Sequence, residues 1–153
     1  MQVQHANGTL ALSGAIDETA GLNDLLGQAS GGRLVLDLGG ITFINSLGVR
    51  DWIRMQAKAT EQRLQVELRN VSEVIVHQLN MIIATRGTAR ITSFYAPYAC
   101  DACGREESLL VDAVANSAQL AQLQPPTQTC PECGAQMAFN DFPERYFSFL
   151  TAG

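Results

Sequence analysis

Two short motifs fix most of what this chain can become: Cys100-Asp-Ala-Cys103-Gly104 and Cys130-Pro-Glu-Cys133-Gly134, with 26 residues between Cys103 and Cys130. A Cys-x-x-Cys-Gly turn aims two thiolates at one point, and its glycine lets backbone N–H groups face the sulfurs. Two such turns complete a tetrahedral shell of four sulfurs. Cys100, Cys103, Cys130 and Cys133, the chain's four cysteines, are therefore the candidate metal ligands. A closed shell leaves no open position for a substrate, so the expected cofactor is one structural zinc ion, with iron, which the same shell holds, as the less favoured metal. Disulfide pairing is the rival use. Met1-Gln-Val-Gln-His carries no basic stretch feeding an apolar one, so the expected setting is a reducing cytoplasm where thiolates are kept for metal.

Charge divides the chain in the same place as the cysteines. Residues 1–97 hold eight basic and eight acidic side chains, whereas 98–153 hold two basic and seven acidic, so the whole net charge of −5 lies in the last third. This predicts two units, 1–96 and 97–153, with a seam at Tyr95-Ala96-Pro97. The long gap between knuckles predicts an insertion over 107–126 carrying a strand or a helical arm before Pro125-Pro126. An acidic chain with dispersed arginines is not expected to bind nucleic acid, which needs clustered Lys and Arg. Val74-Ile75-Val76 and Met81-Ile82-Ile83-Ala84 fall far short of the ~18–20 apolar residues that span a bilayer, so no membrane insertion is expected.

The first unit reads as α/β. Asn7-Gly8 between two short mixed segments signals a hairpin. Asp17 ahead of Leu22, Leu25, Leu26 and Ala29 predicts a capped helix over 18–28. Residues 33–38, a nearly continuous apolar run bounded by glycines, predict a buried strand. Val49, Trp52, Ile53 and Ala57 predict a second helix with Trp52 in the core. Leu64, Val66 and Leu68 alternate as a strand, and Asn70-Val-Ser-Glu73 reads as a capping box opening a third helix over 71–82. Residues 90–95 return as a strand. Because the hairpin comes first, the helices cover the sheet mainly on one face.

Leu34-Val-Leu-Asp-Leu38 followed by Ile41-Thr-Phe-Ile-Asn-Ser-Leu-Gly-Val49 resembles the signature of STAS domains, the fold of bacterial anti-sigma-factor antagonists, over about residues 1–95. The resemblance implies a mixed sheet with helices mainly on one face and points to Ser46 as a phosphorylation site for a kinase that is also the anti-sigma factor. Asn45 stands where the family has Asp, and Leu47 where it often has a second Ser. Asn45, Ser46, Leu47, Gly48 and Arg50 are the candidate partner-binding residues. Physically, Ser46 starts a helix whose N–H groups favour an anion, while a phosphate adds ~−1.5 to −2 charges to a docking surface. The plainer reading makes Ser46 the helix N-cap and Gly48 a close approach.

The second unit resembles a zinc ribbon, and its Cys-Pro-x-Cys-Gly detail also resembles rubredoxin. Its tail, 137–150, is aromatic: Asp141, Pro143 and Glu144 read as a helix start, with Phe142, Tyr146, Phe149 and Leu150 on one face that either packs the module or, exposed and rimmed by acid, is a protein-binding surface. His5 and His77 have no nucleophile or carboxylate at a diagnostic spacing, and no P-loop or HExxH is present, so no enzyme is expected. The expectation is a cytoplasmic, non-catalytic module, resembling an anti-sigma-factor antagonist, that binds an ATP-binding anti-sigma kinase or related switch protein and is switched by phosphorylation at Ser46, with the zinc ribbon as a second docking surface; the reading is also compatible with a homo-oligomer. The alternatives are a constitutive STAS subunit of a larger assembly, such as one with an ABC-type ATPase, and a rubredoxin-like electron carrier.

Overall fold

The computed structural model describes residues 1–150; residues 151–153, the end of the second unit, lie outside the described residues. Strand β1 (Gln2–Ala6) turns at Asn7 and Gly8, both at positive φ (52° and 79°), into β2 (Thr9–Ile16), as the Asn-Gly pair dictates. Then β3 (Arg33–Ile44), β4 (Gln65–Arg69) and β5 (Arg90–Ile91) add in parallel, giving a first sheet of order β1-β2-β3-β4-β5. Parallel strands added in one direction need right-handed crossovers that all fall on the same side. The crossovers are the 3-10 segment Leu22–Gln28, helix α1 (Ser46–Glu61) and helix α2 (Glu73–Met81). Leu34, Leu36, Leu38 and Leu68 share one buried core with Leu25, Trp52, Met55, Ile75 and Leu79. On the other face of these strands Arg33 and Asp37 of β3 and Glu67 and Arg69 of β4 carry charge. Arg33 Nη2 lies 2.5 Å from Glu67 Oε1, and Arg69 Nε donates to Glu67 Oε2. Burial alone would raise the Glu67 carboxyl, but Arg69 and Arg33 outweigh it and hold the group below its ordinary 4.5.

Several local expectations are corrected. Residues 18–28 do not form a helix capped by Asp17; the 3-10 segment starts after Gly21 at φ 69°, and Asp17 closes its own turn by accepting from Thr19 N and Oγ1 at 2.9 and 2.6 Å. The buried stripe Leu22, Leu25, Leu26 is as read, but the winding is 3-10. Strand β3 does not stop at Gly39-Gly40. A Cβ on Gly40 would stand 2.7 Å from Ser13 Cβ, and the β2–β3 register shifts between Ala11 and Ser13 and again between Gly14 and Ala15, so these glycines admit a neighbouring backbone inside the strand. Asn70 does not cap α2. It sits at φ 51°, its Nδ2 donates to Asp37 Oδ2 (2.9 Å), and its Oδ1 accepts from Ser93 Oγ (3.1 Å), while Ser72 holds the N-cap position without a side-chain bond.

After β5 the chain passes Thr92 and enters a second sheet as β6 (Ser93–Ala99), so the seam read at 95–97 falls inside a strand. Its order is β7-β6-β9-β8, all antiparallel, with β7 (Glu106–Asp112), β8 (Gln128–Thr129) and β9 (Gln136–Phe139). Residues 107–126 supply most of β7, the short helix α3 (Ser117–Ala121) and a return whose Pro126 carbonyl accepts from Tyr98 Oη at 2.7 Å. The sheets are joined by backbone: Val71 N donates to Ser93 O at 3.1 Å and Tyr95 N to Val71 O at 2.8 Å.

The tail forms α4 (Pro143–Tyr146) and a 3-10 turn, Phe147–Leu150. Tyr146, Phe147 and Phe149 are buried with Phe94, so the aromatic stripe is core. Phe142 is not part of it: it is 62% exposed beneath the Arg145 guanidinium, because it holds the N-cap position in extended backbone and so lies outside the helical face on which it was expected.

Candidate functional site

The two knuckles are copies of one turn. Strand β6 runs into Cys100 and β7 leaves it; β8 runs into Cys130 and β9 leaves it. In the first, Cys100 N donates to Arg105 O (2.8 Å) and Gly104 N to Cys100 O (2.8 Å); in the second, Cys130 N donates to Ala135 O (2.7 Å) and Gly134 N to Cys130 O (3.0 Å). Gly104 and Gly134 lie at φ 76° and 75°, the left-handed region that turns the chain back after each second cysteine. All four Sγ atoms fall within 4.8 Å of one another, with Cys100–Cys133 at 3.5 Å and Cys103–Cys130 at 3.7 Å. A tetrahedron with metal–sulfur bonds of about 2.3 Å has edges of about 3.8 Å, whereas a disulfide needs about 2.05 Å. The thiols are free, and their spacing fits a metal ion.

The electrostatics agree with that fit. Cys130 is pulled down to about 7, foremost by the N–H of Cys133 and also by that of Glu132. At Cys103 the Arg105 N–H also lowers the thiol, but desolvation and the three neighbouring thiols outweigh it and push it up to about 12. Thiols this close ionise together only around a cation. Arg105 ties the knuckles from outside, reaching Glu107 (2.6 Å) and Glu132 of the second knuckle (3.1 Å). Cys100 and Cys130 are buried, Cys103 and Cys133 exposed.

The structure places the five partner-face candidates at the start of α1. Asn45, not Ser46, is the N-cap: its Oδ1 accepts from Gly48 N at 2.8 Å, and its Nδ2 donates to Glu18 Oε2 at 3.2 Å. Ser46 is the first helical residue and exposed, with Leu47 beside it 41% exposed. Gly48 is buried; a Cβ there would stand 2.1 Å from Ile16 O, so it serves the seating of α1 on the end of β2. Arg50 is exposed and paired with Asp51 at 3.1 Å.

Sequence reasoning missed what lies beside Ser46. A groove of about 620 Å³ runs between α1 and the end of α2, walled by Ile44, Val49, Ile53, Met81 and Ile82, with Asn45, Ser46, Arg50 and Arg54 around it. Met81 and Ile83 are 71% and 73% exposed. The signal was present in the apolar run Met81-Ile82-Ile83, which outlasts its helix instead of ending with it. Trp52 lies behind the groove, 2% exposed, with Nε1 donating to Thr85 O at 2.8 Å.

No helix among the described residues is long and apolar enough to cross a membrane. No family model matches the chain, and no curated protein matches it. By fold and site the described residues form a mixed α/β protein of two sheets and four α-helices with a cysteine group able to hold a metal ion towards the C-terminal end.

Proposed function

We propose that this chain is a non-catalytic regulatory module that binds a protein partner through the face around Ser46, with a structural zinc ion in its four-cysteine centre. The observation that carries the reading is the placement of Ser46: an exposed residue at the start of a 16-residue helix, on the rim of an apolar groove lined by Val49, Ile53 and Met81. Exposed apolar surface with a polar rim is what a docking partner buries. A phosphate on Ser46 would meet the favourable end of the α1 dipole and so leave the fold intact, while placing charge where the partner must desolvate the groove. The partner class follows from the STAS resemblance: an ATP-binding anti-sigma kinase or related switch ATPase.

The metal centre supports a structural role for zinc. Four sulfurs close the shell and leave no open position for a substrate, so the ion's expected contribution is to fix the two knuckles to each other.

The test is capture of partners from the native cell on wild-type chain and on Ser46→Asp, with intact mass of the recovered chain. The reading predicts an ATP-binding kinase enriched on wild type, lost on Ser46→Asp, and a fraction of recovered chain heavier by one phosphate. The same partners on both, with no phosphate, would leave Asn45 and Ser46 as a plain helix start and favour the constitutive subunit.

A further inference from the structure

Helix α2 stands between the two sites. The tail that closes the metal-bearing sheet is bonded to Asn80: Asn80 Nδ2 donates to Tyr146 O at 2.9 Å, and Ser148 Oγ donates to Asn80 Oδ1 at 2.9 Å. His77, one turn earlier, meets the Tyr146 ring edge-on at 6.1 Å. On its other side the same helix end supplies Gln78, Met81 and Ile82 to the groove beside Ser46. Met81 belongs to both surroundings, since it also lines a cavity of about 370 Å³ with His77, Asn80, Asp141, Arg145 and Tyr146.

From the tail the contacts run without a gap to the cysteines. Phe139 stacks on Phe147 at 4.9 Å and meets Tyr146 at 5.6 Å. It lies at the end of β9, opposite Tyr98, whose ring it meets at 5.7 Å, and Tyr98 is two residues before Cys100. Strands β6 and β9 pair over only two positions, Tyr98–Phe139 and Ala99–Ala138, next to the knuckles, so an ion gripping the four thiols braces the open end of a short ladder. Helix α2, for its part, has nine residues and no side-chain cap, too short to be stable unless its neighbours are ordered.

We infer that metal occupancy of the four-cysteine centre controls the order of the α2 C-terminal end and thereby the shape of the groove beside Ser46. The chain is then a coincidence device: the docking face is complete only when the centre is loaded. This rests on the reading of that groove as the partner face, but its structural half stands or falls without any partner.

Trp52, the chain's one tryptophan, reports on the end of α2, because its indole N–H is held by Thr85 O in the turn Ile83–Thr85 that follows the helix. The test uses the full chain loaded with one equivalent of zinc, before and after stripping by a chelator. The readouts are amide hydrogen exchange and Trp52 emission. On stripping, exchange over 73–85 is expected to accelerate at least about tenfold and Trp52 emission to move to longer wavelength, while 33–38 and 65–69 change less than about twofold. Unchanged exchange over 73–85 and unchanged emission, with protection lost only around the knuckles, would overturn the coupling. Asn80→Ala keeps all four cysteines and separates coupling from general unfolding: in the zinc-loaded variant, exchange over 78–85 is expected to accelerate. Wild-type protection there would overturn the proposal even if the stripped chain unfolds throughout. Neither readout involves a partner, so failure of the Ser46→Asp capture and failure of the coupling are separate results.

Discussion

Gly48→Ala sets two effects of opposite sign against each other. In an unobstructed helix interior the change stabilises by about 0.8–1 kcal/mol, because alanine is the better helix former. Here the added Cβ would stand 2.1 Å from Ile16 O and 2.8 Å from Ile16 C. An ordinary carbon–oxygen approach is about 3.3 Å, so α1 or the end of β2 must retreat by roughly 1.2 Å. That retreat strains Asn45 N to Ile16 O (3.2 Å) and the cap bond from Gly48 N to Asn45 Oδ1 (2.8 Å). Overpacking of this kind costs about 1–3 kcal/mol. Adding a weakened cap, worth about 1 kcal/mol, and subtracting the propensity gain leaves a net loss of about 1–3 kcal/mol. Urea unfolding followed by circular dichroism measures it, with Gly27→Ala as control, since no atom lies within 4 Å of a Cβ built there. The account predicts a lower midpoint for Gly48→Ala and a change within about 0.5 kcal/mol for Gly27→Ala. A Gly48→Ala chain as stable as wild type would refute the close seating of α1 on β2.

Asn45→Ala should cost about 1 kcal/mol of stability by loss of the cap, whereas Ser46→Ala should change it by less than about 0.5 kcal/mol, both read by urea midpoints. Glu67, held below its ordinary 4.5 by Arg69 and Arg33, contributes stability that is full above that value and fades as pH falls through the lower folded-state value. The stability gap between wild type and Glu67→Gln should therefore be widest above pH 4.5 and close on acidification. Cys103→Ser or Cys133→Ser should abolish stoichiometric metal binding measured by elemental analysis, and a chain that keeps one tightly held ion without either sulfur would contradict the four-sulfur centre.

The metal centre was legible because its chemistry is written in contiguous residues: each Cys-x-x-Cys-Gly is one turn, and only the pairing of the two turns needed the fold. The hairpin at Asn7-Gly8 and the burial of Trp52 were legible for the same reason, as local chemistry and helical period decide them. What escaped depended on partners distant in sequence. Gly40 reads as a strand end until Ser13 is placed against it. Asn70 reads as a cap until Asp37 and Ser93 take its side chain, and Ser46 reads as a cap until Asn45 claims Gly48 N. The groove beside Ser46 was legible only in part: the run Met81-Ile82-Ile83 marks apolar surface past the end of α2, but Ile44 and Ile53 come from other elements and their sequence pattern is that of ordinary core residues.

The central claim, that the Ser46 face is a charge-sensitive docking surface, is tested most directly by calorimetric titration of the captured ATPase with the zinc-loaded wild-type chain and with Ser46→Asp. The account predicts binding to wild type and an affinity at least about tenfold weaker for Ser46→Asp, a difference of about 1.4 kcal/mol. Equal affinity for the two chains would contradict it.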